Sequence, residues 1–420
     1  MTDSRYLIVG ASHAALAALA AIRMHDAEGS LTLMTREDEL PYSPTVLPYV
    51  VSGRSAPDQV FLRDEEYFSR HRVNFLAGKT LAGIDVAGKR AKLASGEEIA
   101  FDKLLLATGA APALPPIPGL DTVDFHVLRT LADAGGLRRA LPAAQSAVVL
   151  GGGLIGMHAA ENLAKAGVAV TVVEQAPQVL PGYFDRTAAD IIERVFAEHG
   201  VRLLLGSGVT RVSPLRSGKA GARLTLADGS EQDADLLLVA TGVAPVLDYL
   251  AGSGAATGSG ILVDEHMRTS LADVWAAGDV AQARGFFAAD GERILNGILP
   301  DAVLQGQTAG MAMAGDPALK AYPGGVPLNT YAFFGQQAVS VGSRSAGEVV
   351  AEETDPVAAS YLKIVMKDNR LTGIFGINRA LDPGVMWQLI LRRVDLSALR
   401  DEFIAQPQRT ARLLMSKTWR

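Results

Sequence analysis

The stretch Ala147-Val148-Val149-Leu150-Gly151-Gly152-Gly153-Leu154-Ile155-Gly156-Met157-His158-Ala159-Ala160-Glu161-Asn162 decides the fold. Four apolar residues run into Gly151-x-Gly153-x-x-Gly156, and the periodicity that follows carries a helix to Lys165, where Gly167 stops it. A second strand is expected over 168–173, ending at Glu174. In this strand, turn and helix setting the three glycines have separate tasks. The first makes the turn, the second lets backbone approach a pyrophosphate, and the third lets the helix pack on the strand. The helix N-terminus then attracts the phosphate charge. Glu174, eighteen residues past Gly156, is the expected acceptor for adenosine ribose hydroxyls. It argues for NAD over NADP, because a 2′-phosphate would meet a carboxylate there and the next residues, Gln175-Ala176-Pro177, bring no arginine. Gly151, Gly153, Leu154, Ile155, Gly156 and Glu174 are therefore candidate NAD contacts.

Outward from this stretch, the same plan occurs earlier in the chain. A strand over 6–9 runs into Gly10-Ala11-Ser12-His13-Ala14-Ala15, a helix to about Met24 and a second strand over 31–34. This fingerprint is degenerate: Ser12 holds the second glycine position and Ala15 the third, both small enough to be tolerated. Glu37 is the candidate ribose acceptor, with Asp38 as its rival. Each unit is followed by a buried strand that closes alike, at Ala107-Thr108-Gly109 and at Ala240-Thr241-Gly242. Pro112 to Pro118 reads as a linker, Val274-Trp275-Ala276-Ala277-Gly278-Asp279 follows the second unit, and a third region begins after the glycine and proline cluster of 322–327. Strands are expected there over 331–334, 338–341, 361–366 and 372–377, then helices to the C-terminus. The fold class is α/β: two Rossmann-like dinucleotide-binding domains plus a C-terminal α+β interface domain. The expected boundaries are 1–112 with 245–325, then 113–244, then 326–420.

With 420 residues, 49% of them hydrophobic, the chain is too long for one ordinary core. A net charge of −6 gives no reason to expect nucleic acid as a partner. No cysteine is present, which removes redox dithiols, thiolate nucleophiles and thiolate-held zinc or iron–sulfur clusters together. Redox chemistry here needs an organic cofactor. The apolar run 14–22 is short and follows a glycine turn, so it reads as a buried helix, with no membrane span and a cytoplasmic location expected.

With these residues assembled, the chain resembles the two-dinucleotide flavoproteins of the pyridine nucleotide–disulfide reductase superfamily over nearly its whole length, with a glutathione reductase-like fold. The resemblance implies FAD in the first fold, NAD(P)H in the second, and an Ala-x-Gly-Asp block on the flavin side, matched by Ala276-Ala277-Gly278-Asp279. Gly10, Ser12, His13, Ala14, Glu37, Pro41, Ser43, Pro44, Thr108, Gly109, Gly278 and Asp279 are thereby candidate FAD contacts. Asp279 is expected at the ribityl or pyrophosphate portion, its plainer reading being a helix cap. His158, Thr241 and Gly242 join the NAD set. Pro41-Tyr42-Ser43-Pro44-Thr45-Val46-Leu47 looks like the ferredoxin, rubredoxin and nitrite reductase branch, whereas Gly10-Ala11-Ser12-His13 is similar to the NADH peroxidase and oxidase branch. The peroxidases need a cysteine where this chain has Thr45, so peroxidase and disulfide reductase chemistry are excluded. Two positions depart from the pattern: Pro48-Tyr49 stands near the place of a flavin-site lysine, and His158 replaces the usual glutamate. The run 153–162, with Gly376-Ile377-Asn378 and Pro383-Gly384-Val385-Met386, is similar to the flavoprotein subunits that couple 2-oxoacid:acceptor complexes such as phenylglyoxylate dehydrogenase to NAD.

The other histidines show no metal-site spacing, and His71 beside Arg70 and Arg72 reads as a surface group. His158 has two readings, a nicotinamide contact or a packed helix residue; His13 likewise faces the flavin or bonds to backbone. Arg392, Arg393, Arg400, Arg409, Arg412, Lys417 and Arg420 lie among apolar residues near the C-terminus, a face that suits an acidic iron–sulfur protein, a homodimer seam or plain solvent. The expected activity is transfer of electrons between NAD(H) and an iron–sulfur protein or subunit of a larger complex. NADH oxidase activity and a partner-binding redox-sensing or assembly role are the alternatives.

Overall fold

The computed structural model describes residues 3–215, 220–289 and 291–418. They form two compact units: Met1–Ser43, Val60–Ala111 and Ala244–Pro327 make the first, and Pro44–Gln59, Pro112–Val243 and Leu328–Arg420 the second.

In the first unit five strands lie parallel in the order Val73–Leu76, Leu31–Met34, Asp3–Val9, Glu98–Leu106, Val274–Ala276. Their apolar runs are continuous because helices and loops cover both faces, and Tyr6, Leu7, Ile8, Leu104, Leu105 and Leu106 are all fully buried. The first half of Glu98–Leu106 also pairs antiparallel with Arg90–Leu93, which pairs with Leu81–Asp85. Helix His13–His25 carries an alanine face, and helix Leu299–Ala314 lies against it. A Cβ on Gly306 or Gly310 would collide with the backbone of Ala14 or Ala18, so the two helices touch main chain to main chain. Interior glycines cost a helix about 1 kcal/mol each; close approach is what retains them here.

The second unit repeats the plan. Arg202–Leu205, Ala169–Glu174, Ser146–Leu150 and Leu236–Val239 lie parallel in that order, followed by a three-stranded antiparallel sheet of Val209–Pro214, Ala222–Leu226 and Glu231–Ala234. Beyond them stands a five-stranded antiparallel sheet in the order Leu328–Phe333, Gln336–Gly342, Arg370–Ile377, Ser360–Lys367, Glu348–Asp355. Helices Pro383–Leu391, Arg400–Ala405 and Pro407–Thr418 follow. Two polar anchors hold this sheet within its unit. Glu161, buried on helix Leu154–Lys165, accepts the Phe334 amide at 2.7 Å and pairs with Lys165 at 2.6 Å. Asp185 caps helix Arg186–Glu198 at Ala188 and also accepts the Tyr361 hydroxyl at 2.6 Å and the Lys363 ammonium at 2.8 Å.

Several expectations need correction. The stretch 112–118 is no free linker: Pro118 accepts the Val212 amide at 2.9 Å, and Gly119 is pressed on the Val212 carbonyl too closely for a Cβ. Strand Glu348–Asp355 is additional to the expected set, because its residues are mostly exposed and half of them are charged, as suits a sheet edge. Helix Leu299–Ala314 is additional too, its glycines masking the period. Asp279 follows the turn at Gly278, which leads into strand Ala281–Arg284. Among the described residues no helix is long and apolar enough to cross a membrane.

Candidate dinucleotide sites

In the second unit the glycines divide as their chemistry requires. Gly151 has φ +106° and packs against the Ala240 carbonyl, and a Cβ on Gly156 would collide with the Gly151 carbonyl. Both are fixed by packing. Gly153, the N-cap residue of helix Leu154–Lys165, differs: a Cβ there would meet nothing within 4 Å. Open space over this backbone is what a pyrophosphate would fill. Glu174 sits beside it at its strand end, its carboxylate accepting the amides of Gly152 at 2.6 Å and Ala176 at 2.7 Å. A Cβ on Gly152 would press on the Glu174 side chain at 3.2 Å. Leu154 and Ile155 form the first helical turn, with Ile155 38% exposed, which is unusual for isoleucine and leaves an apolar surface at the turn.

Three members of the expected NAD set also make contacts within the protein. His158 packs edge-on against Tyr331, ring centres 4.6 Å apart, and burial holds its pKa below the usual histidine range against the pull of Glu161. The Thr241 hydroxyl donates to the Ala113 carbonyl at 2.7 Å, and the Gly242 carbonyl accepts the Ala113 amide at 3.0 Å. Thr241 and Gly242 thus fasten the stretch before Pro118.

The first unit's turn is built alike. Gly10, at φ +114°, packs against the Ala107 carbonyl as Gly151 does against Ala240. Ser12 is the N-cap residue of its helix, yet its side chain makes no capping hydrogen bond. His13 Nε2 lies 2.8 Å from the Ser43 hydroxyl; burial lowers its pKa and the nearby Asp279 opposes this. Gly278 comes so near Ala14 that an added Cβ would lie 3.1 Å from the alanine methyl. Gly10, Ser12, His13, Ala14, Ser43, Gly278 and Asp279 therefore share one end of the sheet. Glu37 is engaged by the Tyr42 hydroxyl, while its rival Asp38 lies against Gly78. Pro41 accepts the Leu62 amide at 2.6 Å. The Thr108 hydroxyl stands 2.9 Å from that of Tyr249, whose pKa burial raises to about 12, and Gly109 turns at φ +67°. Pro44 opens the turn Pro44–Val46 and, unlike the rest of its expected set, belongs to the second unit.

Sequence reading missed Tyr42, Tyr249 and a buried pair on helix Leu299–Ala314, Asp301 and Gln305. A carboxylate among alanines and leucines was the available signal. Among the described residues no group of histidines and carboxylates could hold a metal ion.

Two glycine turns of matched construction, each opening a helix beside a parallel sheet, are the frame of a pyridine nucleotide oxidoreductase. The chain belongs to the pyridine nucleotide-disulphide oxidoreductase family, whose model matches residues 4–305. It is 56% identical to the NADH-dependent phenylglyoxylate dehydrogenase subunit epsilon of Aromatoleum evansii, over 99% of this chain and 98% of that protein. It is 31% identical to an NADH oxidase of Methanocaldococcus jannaschii, over 76% and 72% of the two chains. The solved ferredoxin reductase of the CYP199A2 system from Rhodopseudomonas palustris superposes with a TM-score of 0.84 at 27% identity, covering 95% of this chain and 99% of that one.

Proposed function

We propose that the chain is an FAD-dependent enzyme exchanging electrons between NAD(H) and an iron–sulfur protein or subunit, as the NAD-linked component of a 2-oxoacid dehydrogenase complex acting on phenylglyoxylate or a close analogue. The single observation that carries the nucleotide part is the open backbone at Gly153 beside the Glu174 carboxylate. The near full-length likeness to the epsilon subunit supports the complex and its substrate. In this reading FAD occupies the first turn, with Ser12 amide and hydroxyl on its pyrophosphate and Glu37 on its adenosine ribose, and NAD the second. The proposed division is 1–112 with 245–325 for FAD, 113–244 for NAD and 326–420 for the interface.

When bound, FAD would supply the ability to accept a hydride from NADH and release electrons singly. The chain's own residues bind and orient. Gly151 and Gly156 set the turn, Gly153 admits the diphosphate, and Glu174 selects an unphosphorylated ribose. His13 pairs with Ser43, and burial lowers its pKa, which disfavours a positive charge beside Asp279. With no cysteine in the chain, a thiolate-held iron–sulfur acceptor has to be carried by another polypeptide.

The test is anaerobic titration of the purified, yellow protein with NADH. About one NADH per flavin should bleach the visible band within the time of a turnover. A colourless protein that takes up no FAD removes the central claim. A yellow protein that NADH does not bleach is a sensor or assembly factor instead.

A further inference from the structure

Helix Leu299–Ala314 brings a carboxylate into the apolar interior of the first unit. Asp301 is fully buried, and each of its oxygens is in use: Oδ1 accepts the Tyr322 hydroxyl at 2.6 Å, while Oδ2 accepts Asn296 Nδ2 at 3.0 Å and Gln305 Nε2 at 3.3 Å. Gln305 is itself buried, and its Oε1 accepts the Gly278 amide at 2.8 Å. A glutamine amide can turn over, exchanging its oxygen and nitrogen. Here only one orientation is satisfied: an acceptor-only carboxylate on one side demands the NH2, and a backbone N–H on the other demands the oxygen. Burial pushes the Asp301 carboxyl up to about 6 although three donors pull it down. A buried acid is costly, and replacing it by leucine would spare that cost in a helix otherwise lined with alanine and glycine.

The residue it controls is placed where precision matters. Gly278 turns at φ +81° with Ala14, in the first turn of helix His13–His25, directly beneath it. The following residue, Asp279, electrostatically faces His13. Gly325 lies against Asp301 Oδ2, where an added Cβ would come within 2.7 Å, so no side chain fits there beside the carboxylate.

We infer that Asp301 is a positioning residue: by orienting the Gln305 amide, it holds the Gly278-Asp279 turn in the one conformation that receives the flavin. This rests on the reading of that turn as an FAD contact. Its consequence is specific to donor and acceptor pattern rather than to packing. In Asp301→Asn the shape is kept but one acceptor becomes a donor. With Nδ2 in the place of Oδ2 it meets Gln305 Nε2 and Asn296 Nδ2, donor against donor; with Nδ2 toward Tyr322 the hydroxyl accepts it but loses position 301 as acceptor for its own proton. In either case turning the Gln305 amide over offers the missing acceptor and sets Nε2 against the Gly278 N–H. The double change Asp301→Asn with Gln305→Glu reverses the pattern, since a carboxylate at position 305 would be acceptor-only toward both Gly278 and the new amide.

Apoprotein prepared by flavin removal is titrated with FAD, following quenching of flavin fluorescence and the position of the visible band, alongside the melting temperature of each apoprotein. Asp301→Asn is expected to weaken FAD by about tenfold or more, the order expected when a buried donor loses its acceptor, and to shift the band. The double variant is expected to recover affinity to within about threefold and restore the band, with the KM for NADH unchanged in the reconstituted enzyme. Unaltered FAD affinity in Asp301→Asn overturns the inference, as does a double variant no better than the single. If Asp301→Asn does not fold, the double variant decides: it must fold and bind FAD near the parent level, and its failure is a refutation. A parent protein that binds no FAD sinks the functional proposal itself, an outcome distinct from a yellow parent with indifferent variants.

Discussion

In the proposed function Glu174 serves both its fold and its ligand. Its carboxylate is already aligned by the Gly152 and Ala176 amides, so little ordering cost remains when a ribose arrives. A 2′-phosphate in the same place would stand about 4 Å from that charge, a repulsion of about 4 kcal/mol at an effective dielectric near 20. A ribose hydroxyl instead gains a hydrogen bond to an ionised acceptor, about 1.5–3 kcal/mol. Glu174→Ala should therefore raise the KM for NADH roughly tenfold or more and narrow the preference over NADPH, measured as the ratio of kcat/KM values. Equal use of both nucleotides by the parent enzyme would place ribose recognition elsewhere. This residue was legible in the sequence because spacing from the glycines locates it. Tyr42 and Asp301 were not, since only the folded chain turns the Tyr42 hydroxyl onto Glu37 and sets Gln305, which Asp301 orients, against the Gly278 amide. His158 was readable in either of two ways, and a ring contact across the unit with Tyr331 favours packing.

Among elements, the central parallel strands of each unit and the two helices that follow the glycine turns could be read from apolar runs and glycine stops, because strands buried on both faces need no alternation. The partly exposed strands Val73–Leu76 and Arg202–Leu205 were not read. Strand Glu348–Asp355 offered neither pattern: most of its residues face solvent, and its place is set by pairing with Ser360–Lys367. The attachment of that sheet was likewise invisible, for it depends on a cap that serves twice. Burial alone would disfavour ionised Asp185, yet Lys363 and Tyr361 donate to it and keep its carboxyl below the usual range. Arg344 adds hydrogen bonds to the carbonyls of Phe184 and Pro181 from the same sheet. Asp185→Ala removes the cap and leaves Lys363 only its longer ion pair with Glu352 at 3.4 Å, so a loss of about 2–3 kcal/mol is expected. Urea unfolding should show it as a lower midpoint with unchanged slope. Asp185→Asn, which can still cap, should lose less; equal losses would mean that the charge partner, not the cap, dominates.

At the scale of the molecule, the net charge of −6 conceals an uneven distribution. Arg392, Arg393, Arg400, Arg409 and Arg412 are exposed; Arg420 and the side chain of Lys417, expected on the same face, lie outside the described residues. An open groove of about 690 Å³ runs beside Leu381, Pro407, Arg412 and Leu413. If the acceptor is an iron–sulfur protein, NADH oxidation should be fast with it or with a one-electron dye and slow with oxygen alone. Oxygen consumption that matches the dye rate would make this an oxidase. Reversal of charge at Arg392 and Arg393 should raise the KM for the protein acceptor and leave dye reduction alone, because rim charges act chiefly on encounter. An unmoved KM would assign docking to another surface.

The first unit is assembled from three separated stretches, and this has a consequence during synthesis. When helix His13–His25 leaves the ribosome its alanine face has no cover, because the glycine-bearing helix that meets it begins at Leu299. Strand Glu98–Leu106 waits similarly for Val274–Ala276. The stretch 112–243, by contrast, contains all four strands of its own parallel sheet and can close as soon as it emerges. The nascent chain thus folds its middle first and keeps its beginning unfinished until translation is well advanced, leaving an apolar surface for chaperones to shield.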